Sequence, residues 1–306
     1  MSLASAPNLH DTPLRRMTRR FLEHKMALAS AIVLIIFAFL SFAAPLVEAV
    51  LGIDHTHVDL YKRFEGPSFA HPLGTDELGR DLFVRLLYGG RVSLTVAMIA
   101  ALIAAVFGTL IGLVAGYYGG LVDRLLMRIN DGFIALPLLP LLIVLAAVDL
   151  EKIGVPKAVA QSDDISLYRI VVIIALVGWN TVARLVRAET LALREREFVR
   201  AAVALGASPR RIMVRHILPN AISPIIVATT LSVGTIILFE SILSFLGLGI
   251  QPPVASWGNM LSNAQELIWS APQLAVWPGL MIFITVIAFN FLGDGLQDAL
   301  DPRALD

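Results

Sequence analysis

Glu240 is the only charged residue in the apolar run 222–246. A carboxylate inside a hydrocarbon-length segment is costly and rarely faces lipid. Two chemistries suit it. It could line a pathway and meet an amino group or a cation of a passing solute, or it could be a hydrogen-bonded packing residue near one end of the run. Asn180 and Asn290 sit in two further apolar runs and carry the same choice between lining a pathway and bonding a neighbouring helix. Catalytic chemistry is harder to find. The chain has no cysteine, which removes thiolate nucleophiles and thiolate metal sites, and its six histidines form no HExxH pair. No GxxxxGK[ST] stretch occurs, so the chain has no phosphate-cradling loop of its own. No convergent nucleophile, base or metal set is expected. The chain reads as a non-enzyme that binds no cofactor or metal.

The elements holding these polar residues are membrane-sized. Of the 306 residues, 57% are hydrophobic and 16% charged, and the mean hydropathy is +0.77. Soluble domains are nearer 45–50% apolar and about 25% charged. The formal net charge is zero, so nothing suggests nucleic acid. Six segments are long enough to cross about 30 Å of hydrocarbon: 26–47, 92–116, 132–149, 169–187, 222–246 and 276–293. The third holds Pro137 and Pro140, and the fourth holds Asn180 and Arg184. The first exceeds the 7–15 residues typical of a signal-peptide core and reads as an uncleaved anchor, with cleavage near Ala43-Ala44 the alternative. If the N-terminus is cytoplasmic, sixteen of the 24 Lys and Arg residues fall inside and eight outside. That bias predicts N-in and C-in.

This gives an all-α membrane protein. Residues 1–25 form a cytoplasmic N-terminus with an amphipathic helix, and 26–47 the first span. Residues 48–91 form an external loop, and 92–303 a core of five spans with a cytoplasmic loop at 188–221. In the N-terminal piece, Leu14, Met17, Phe21 and Leu22 share a face opposite arginines, an interfacial pattern. In 71–91, Leu82, Phe83, Leu86 and Leu87 make an apolar face after a Thr75-Asp76 start. Between Ser256 and Ser270, Trp257, Met260, Leu261, Ala264 and Ile268 predict a helix capped by Ser256. Trp257, Trp269 and Trp277 are expected at the outer interface, where indoles are favoured.

The cytoplasmic loop is too polar to cross. Phe198, Ala201, Ala202 and Leu205 fall at i, i+3, i+4, i+7 and predict a short helix with one apolar stripe. Gly206 stands where a helix needs positive φ, Ser208 suits a cap, and Pro209 suits a first turn. Pro219 should end or kink the second helix. The pattern is helix, tight turn, helix, break. It fits a loop packed on its own membrane domain, and it fits a helix presented to a cytoplasmic partner.

Residues 200–219 read Arg200-Ala201-Ala202, three residues, Gly206, nine residues, then His216-Ile217-Leu218-Pro219. This resembles the "EAA" loop of ABC-importer permeases, with Arg200 where the glutamate stands and His216 where an isoleucine stands. Glu197, one turn earlier, is a substitute for that glutamate. "HPLGTDELGRDLFVRLLYGGRVSL" (71–94), "FESILSFLGLGIQPPVASWGNML" (239–261) and "GDGLQDALDPR" (293–303) resemble the C-type subunit of the dipeptide/oligopeptide/nickel branch. The resemblance implies a type I ABC-importer permease fold in a bacterial inner membrane. It implies a second permease subunit as heterodimer partner, two ATPase subunits that use ATP and Mg, and an external solute-binding protein. It also implies that Glu197, Arg200, Ala201, Ala202, Leu205, Gly206, Ala207, Ser208 and Pro219 carry the coupling to the ATPase. Peptides are the implied solutes, with nickel, opines, glutathione-like compounds and sugars as alternatives. A secondary transporter and a channel or scaffold are the competing classes, and neither accounts for the loop.

Overall fold

The computed structural model describes residues 13–160, 165–262 and 264–300. The elements in order are α1 (Pro13–Glu23), α2 (Lys25–Phe42), α3 (Ala44–Leu51), α4 (Leu82–Tyr118), α5 (Gly120–Ala135), α6 (Leu138–Ala146) and α7 (Lys157–Ala160). They continue with α8 (Ile165–Gly178), α9 (Asn180–Arg194), α10 (Glu197–Ala204), α11 (Pro209–Ile212), α12 (Leu218–Phe245), α13 (Ala264–Leu267) and α14 (Gln273–Leu300). Among the described residues there is no strand. Five helical stretches are long and apolar enough to cross a membrane: 25–42, 82–118, 165–194, 209–245 and 273–300.

The third expected span is not straight. α5 and α6 meet at 88°. Pro137 explains the bend, because its ring drives the preceding residue out of the helical region. Leu136 has φ −81° and ψ 140°. Pro140 is tolerated because it falls in the first turn of α6. The pair counts as a sixth span only if both arms are taken together.

α4 differs from expectation in the other direction. The apolar face at 82–87 and the span at 92–116 form one 37-residue helix that runs straight through residue 91. Its start is set by Asp81, whose carboxylate accepts the Val84 N–H at 2.8 Å, and not by Thr75-Asp76. Asp76 instead folds back on its own loop, accepting from Leu78 N and Arg80 N.

α4 packs against α8 and α9 through a stripe of small residues. A Cβ at Gly108, Gly112 or Gly116 would stand 2.6 Å from Trp179 O, Ala183 O or Thr190 Cβ. With every fourth residue a glycine, the two backbones approach closely, the usual device where lipid gives no hydrophobic drive between helices. Arg187 reaches from α9 to Asp123 on α5, with its Nη2 2.6 Å from Oδ2. Arg194 donates to the carbonyls of Gly116 and Tyr117 and so covers the C-terminus of α4.

Helix contacts sort the molecule into two ends. At one, His24 caps α2, lies 3.7 Å from Asp298, and Ala27 touches Gly295, so both described termini share that end. The C-termini of α4 and α9 meet there as well. At the other end Gly90 abuts Ser41 and Trp257, and residues 48–81 cluster with the start of α4 and the end of α12.

Candidate functional site

The loop at 195–219 keeps its expected shape with two changes. α10 closes in a complete Schellman turn: Gly206 N–H donates to Val203 O at 2.9 Å, and Ala207 N–H to Ala202 O at 3.0 Å. Gly206 takes φ +78°, which a side chain would strain although nothing lies within 4 Å of its would-be Cβ. Ser208 is extended and Pro209 opens the next helix, but the Ser208 side chain makes no capping bond.

The first change concerns the apolar stripe. Phe198, Ala201, Ala202 and Leu205 do not share one environment. Ala202 is buried beside Val199, whereas Phe198, Ala201 and Leu205 are exposed, Leu205 at 88%. The reading as a loop packed on its own membrane domain holds for part of it. Val199, Ile212 and Ile217 form a core with Leu113, Val182 and Val186 of α4 and α9, which fixes the loop to the spans. Phe198 and Leu205 on one flank of that buried stripe, and Val203 on the other, stay exposed to solvent.

The second change concerns Pro219. It does not break the chain, and residues 209–245 run as one helical stretch. A π turn over Met213–Ile217 precedes it, in which Leu218 N–H donates to Met213 O. The wider turn accommodates a proline that has no N–H to offer the ladder.

Arg200 turns back along the loop and donates to Glu195 Oε2 at 2.7 Å. That hydrogen bond, before any other influence, holds the Glu195 carboxyl below its usual range. Both partners are mostly exposed, and Glu197 stands exposed in the first turn of α10.

The three intramembrane polar residues are not brought together. Glu240 is fully buried. Its Oε1 accepts from Ser244 Oγ at 2.8 Å and its Oε2 from Ser93 Oγ at 3.0 Å. Each serine in turn accepts a backbone N–H, Ser244 from Ile250 and Ser93 from Trp257. The carboxyl therefore ties α4, α12 and the segment after α12 into one knot. Asn180 is buried at the α8–α9 junction, where its backbone carbonyl accepts from Asn130 Nδ2. Asn290 is exposed on α14 and donates into its own helix at Val286 O.

Trp257 corrects two expectations. It is 1% exposed, with Nε1 donating to Leu86 O at 3.0 Å, so it is a core residue and not an interfacial one. The expected Ser256–Ser270 helix is only a 3-10 turn at Asn259–Leu261 followed by α13. Ser256 does accept the Asn259 N–H, but Asn259 also holds the backbone at Ile250 and Val254, which favours a compact loop. Trp269 is fully open.

Two clusters in and beside residues 48–81 had no place in the sequence reading. Glu48 accepts from the Tyr88 hydroxyl and from His55 N, and His55 stacks on Tyr88 at 3.8 Å. Glu48, Asp54 and His55 put ligand-type atoms within 4.8 Å of one another. Asp76 is shared by Arg80 and Arg85. The signal for these lies in chemistry-bearing side chains 30 to 40 residues apart or in one dense loop, a spacing that no periodicity reports.

Long apolar helices, small-residue packing between them and an amphipathic first helix define a polytopic membrane protein. The chain belongs to the family described as binding-protein-dependent transport system inner membrane component, whose model matches residues 108–306. Residues 12–67 match the N-terminal TM domain of oligopeptide transport permease C. The dipeptide transport system permease protein DppC of Alkalihalophilus pseudofirmus is 40% identical over 95% of this chain and 90% of its own length. The glutathione transport system permease protein GsiD of Pectobacterium atrosepticum is 40% identical over 98% and 96%. A solved structure of the MetNI methionine ABC transporter, in inward-facing conformations, aligns with a TM-score of 0.53 at 19% identity. It covers 74% of this chain and 98% of that one. The fold is thus the type I ABC-importer permease fold, and the chain is an inner-membrane ABC-importer permease of the dipeptide/oligopeptide branch.

Proposed function

We propose that this chain forms half of a translocation pathway for di- or oligopeptides, opened and closed by ATPase subunits bound at 195–212. Dipeptide and glutathione permeases at 40% identity support peptide-like solutes. The partners are a second permease chain, two ATPase subunits that bind ATP and Mg, and an external solute-binding protein. Both termini and the 195–219 loop face the cytoplasm, and residues 48–81 face outward.

The observation that carries the coupling role is the exposed face of α10. Phe198 and Leu205 stand exposed beside a Schellman turn while Val199 is cored onto α4 and α9. A partner that moves α10 therefore moves the spans, and ATP binding shifts the population only because the partner fits one arrangement better. Glu197, Arg200, Ala201 and Ser208 are exposed on the same loop and Ala207 is half-buried, and all belong to the proposed contact. Pro219 and the π turn lie where the motion enters the fifth span. Asn290, exposed on α14, is the pathway candidate the geometry leaves open. Glu240 is enclosed in this conformation and would reach a solute only if α4 and α12 parted.

The test is vanadate-sensitive uptake of dialanine by the assembled importer. Gly206→Asp should abolish coupled uptake or ATPase assembly, since it disturbs the turn without touching the spans. Unchanged uptake and assembly in that variant would count against the coupling role, and uptake following an ion gradient without ATP would favour a secondary transporter.

A further inference from the structure

The helical stretch 209–245 opens with three arginines that nothing neutralises. Arg210, Arg211 and Arg215 are exposed, and among the described residues none of them makes an ion pair. Arginines on the elements around them find carboxylates: Arg184 meets Asp131, Arg187 meets Asp123 and Arg200 meets Glu195. No acid stands between Glu197 and Glu240, so the three have no local counter-charge. Like charges this close in sequence repel, and an anion relieves them through charge-assisted bonds.

The surface that continues from them narrows the anion. Val214, Ile222 and Ile226 are exposed apolar residues of the same stretch, and helical spacing puts them on the side of Arg211 and Arg215. Ile212, Ile217 and Ala221 are buried on the other side. Arg215 precedes Ile222, where the apolar run 222–246 begins, by seven residues, about 10 Å along the axis. A headgroup layer is about 5–8 Å thick on each side of the hydrocarbon. An arginine lays its alkyl stem along apolar surface and keeps its charge at that level. The order along this face is therefore charge, then hydrocarbon. An acidic protein surface would match the arginines but not the apolar residues at membrane depth. A neighbouring helix would match the apolar residues but leave the arginines without an anion.

We infer that this face of residues 210–226 is a site for an anionic phospholipid. Arg211 and Arg215 hold its phosphate, Arg210 stands at the rim, and an acyl chain runs along Ile222 and Ile226. Basic clusters beside a span attract acidic lipids in this way. The site depends on the chain's place in an inner membrane, and not on the solute or on the grip of α10. A lipid seated there pins the start of the fifth span at the membrane surface.

The experiment places the full-length chain in phosphatidylcholine nanodiscs with a trace of spin-labelled phosphatidylglycerol. Electron paramagnetic resonance gives the immobilised fraction, with spin-labelled phosphatidylcholine as reference. Wild type should prefer the anionic probe about fivefold or more, the fold-change of one arginine near an acidic headgroup. High salt should reduce that preference. Changing Arg210, Arg211 and Arg215 together to Gln should bring the ratio to about one, and changing all three to Lys should keep most of it. The three side chains are exposed, so the fold tolerates both sets. Equal immobilisation of the two probes in wild type, or a preference that the glutamine triple leaves unchanged, overturns the site. If that triple keeps the preference and instead loses its ATPase subunits when the importer is purified, the arginines serve a protein partner and the lipid site falls. Dialanine uptake by the wild-type importer is measured alongside. Uptake without lipid preference removes the lipid site and leaves the importer reading, and lipid preference without uptake does the reverse.

Discussion

Glu240 shows how far a residue type can be read without its surroundings. An isolated carboxylate in an apolar run marks a place where something polar must meet it, but the run cannot say what. The partners are Ser93, 147 residues away, and Ser244, one turn along. Glu240→Ala strands both hydroxyls in a buried site, and each such donor costs about 1–3 kcal/mol. Thermal unfolding of the variant in detergent should show a clear loss, with Glu240→Gln losing less. Arg200 gives the opposite expectation. Its pair with Glu195 is exposed, so Arg200→Ala should change fold stability by less than about 1 kcal/mol, measured by the same melts. Glu48 adds a pH dependence. Burial pushes its carboxyl up, but the Tyr88 hydroxyl and His55 outweigh it and hold the group below its ordinary value of 4.5. A lowered carboxylate stabilises fully above the ordinary value and loses that contribution as pH falls through the folded one. Hydrogen exchange of residues 52–57, corrected for intrinsic rate, should stay slow from neutral pH down to that range and then quicken. In Glu48→Gln it should be fast already at neutral pH.

Elements were legible where one periodicity ran uninterrupted. The first, second, fourth, fifth and sixth spans follow from apolar length, and Gly206-Ala207-Ser208-Pro209 announces its turn through residue types that few other conformations accept. Three features were not legible, each for a physical reason. Pro137 splits the third span because its effect falls on Leu136 and outweighs apolar length. Pro219 fails to break its helix because a π turn upstream removes the need for its N–H. The apolar stripe on α10 divides because Val199 and not Phe198 meets the spans. The small-residue seam of α4 makes a sharp contrast testable by substitution. Gly112→Leu puts a side chain 2.6 Å from Ala183 O at its first carbon and should prevent α4–α9 packing, seen as loss of folded protein on size exclusion. Gly132→Ala, with nothing within 4 Å, should be neutral or slightly stabilising through helix propensity.

At the scale of the whole molecule, the chain is a membrane permease whose two ends are built differently. One end carries both described termini and the exposed apolar residues of α10; the other carries the Glu240 knot and the cavity lined by Arg80 and Arg85. The 37-residue α4 runs between them, bonded to Glu240 through Ser93 near its start and covered by Arg194 at its finish. In the coupling proposed above, α4 is the rigid element that would carry motion of α10 to the opposite end. The proposed coupling requires that an ATPase subunit grip α10. Because the chain has no cysteine, Leu205→Cys is a unique label at the most exposed apolar residue of the 195–219 loop. In the purified importer, a thiol cross-linker at that position should join this chain to one ATPase subunit, with a yield that changes on trapping with ATP and vanadate. A cysteine that stays freely reactive in the assembled complex, and never cross-links to the ATPase, would contradict it.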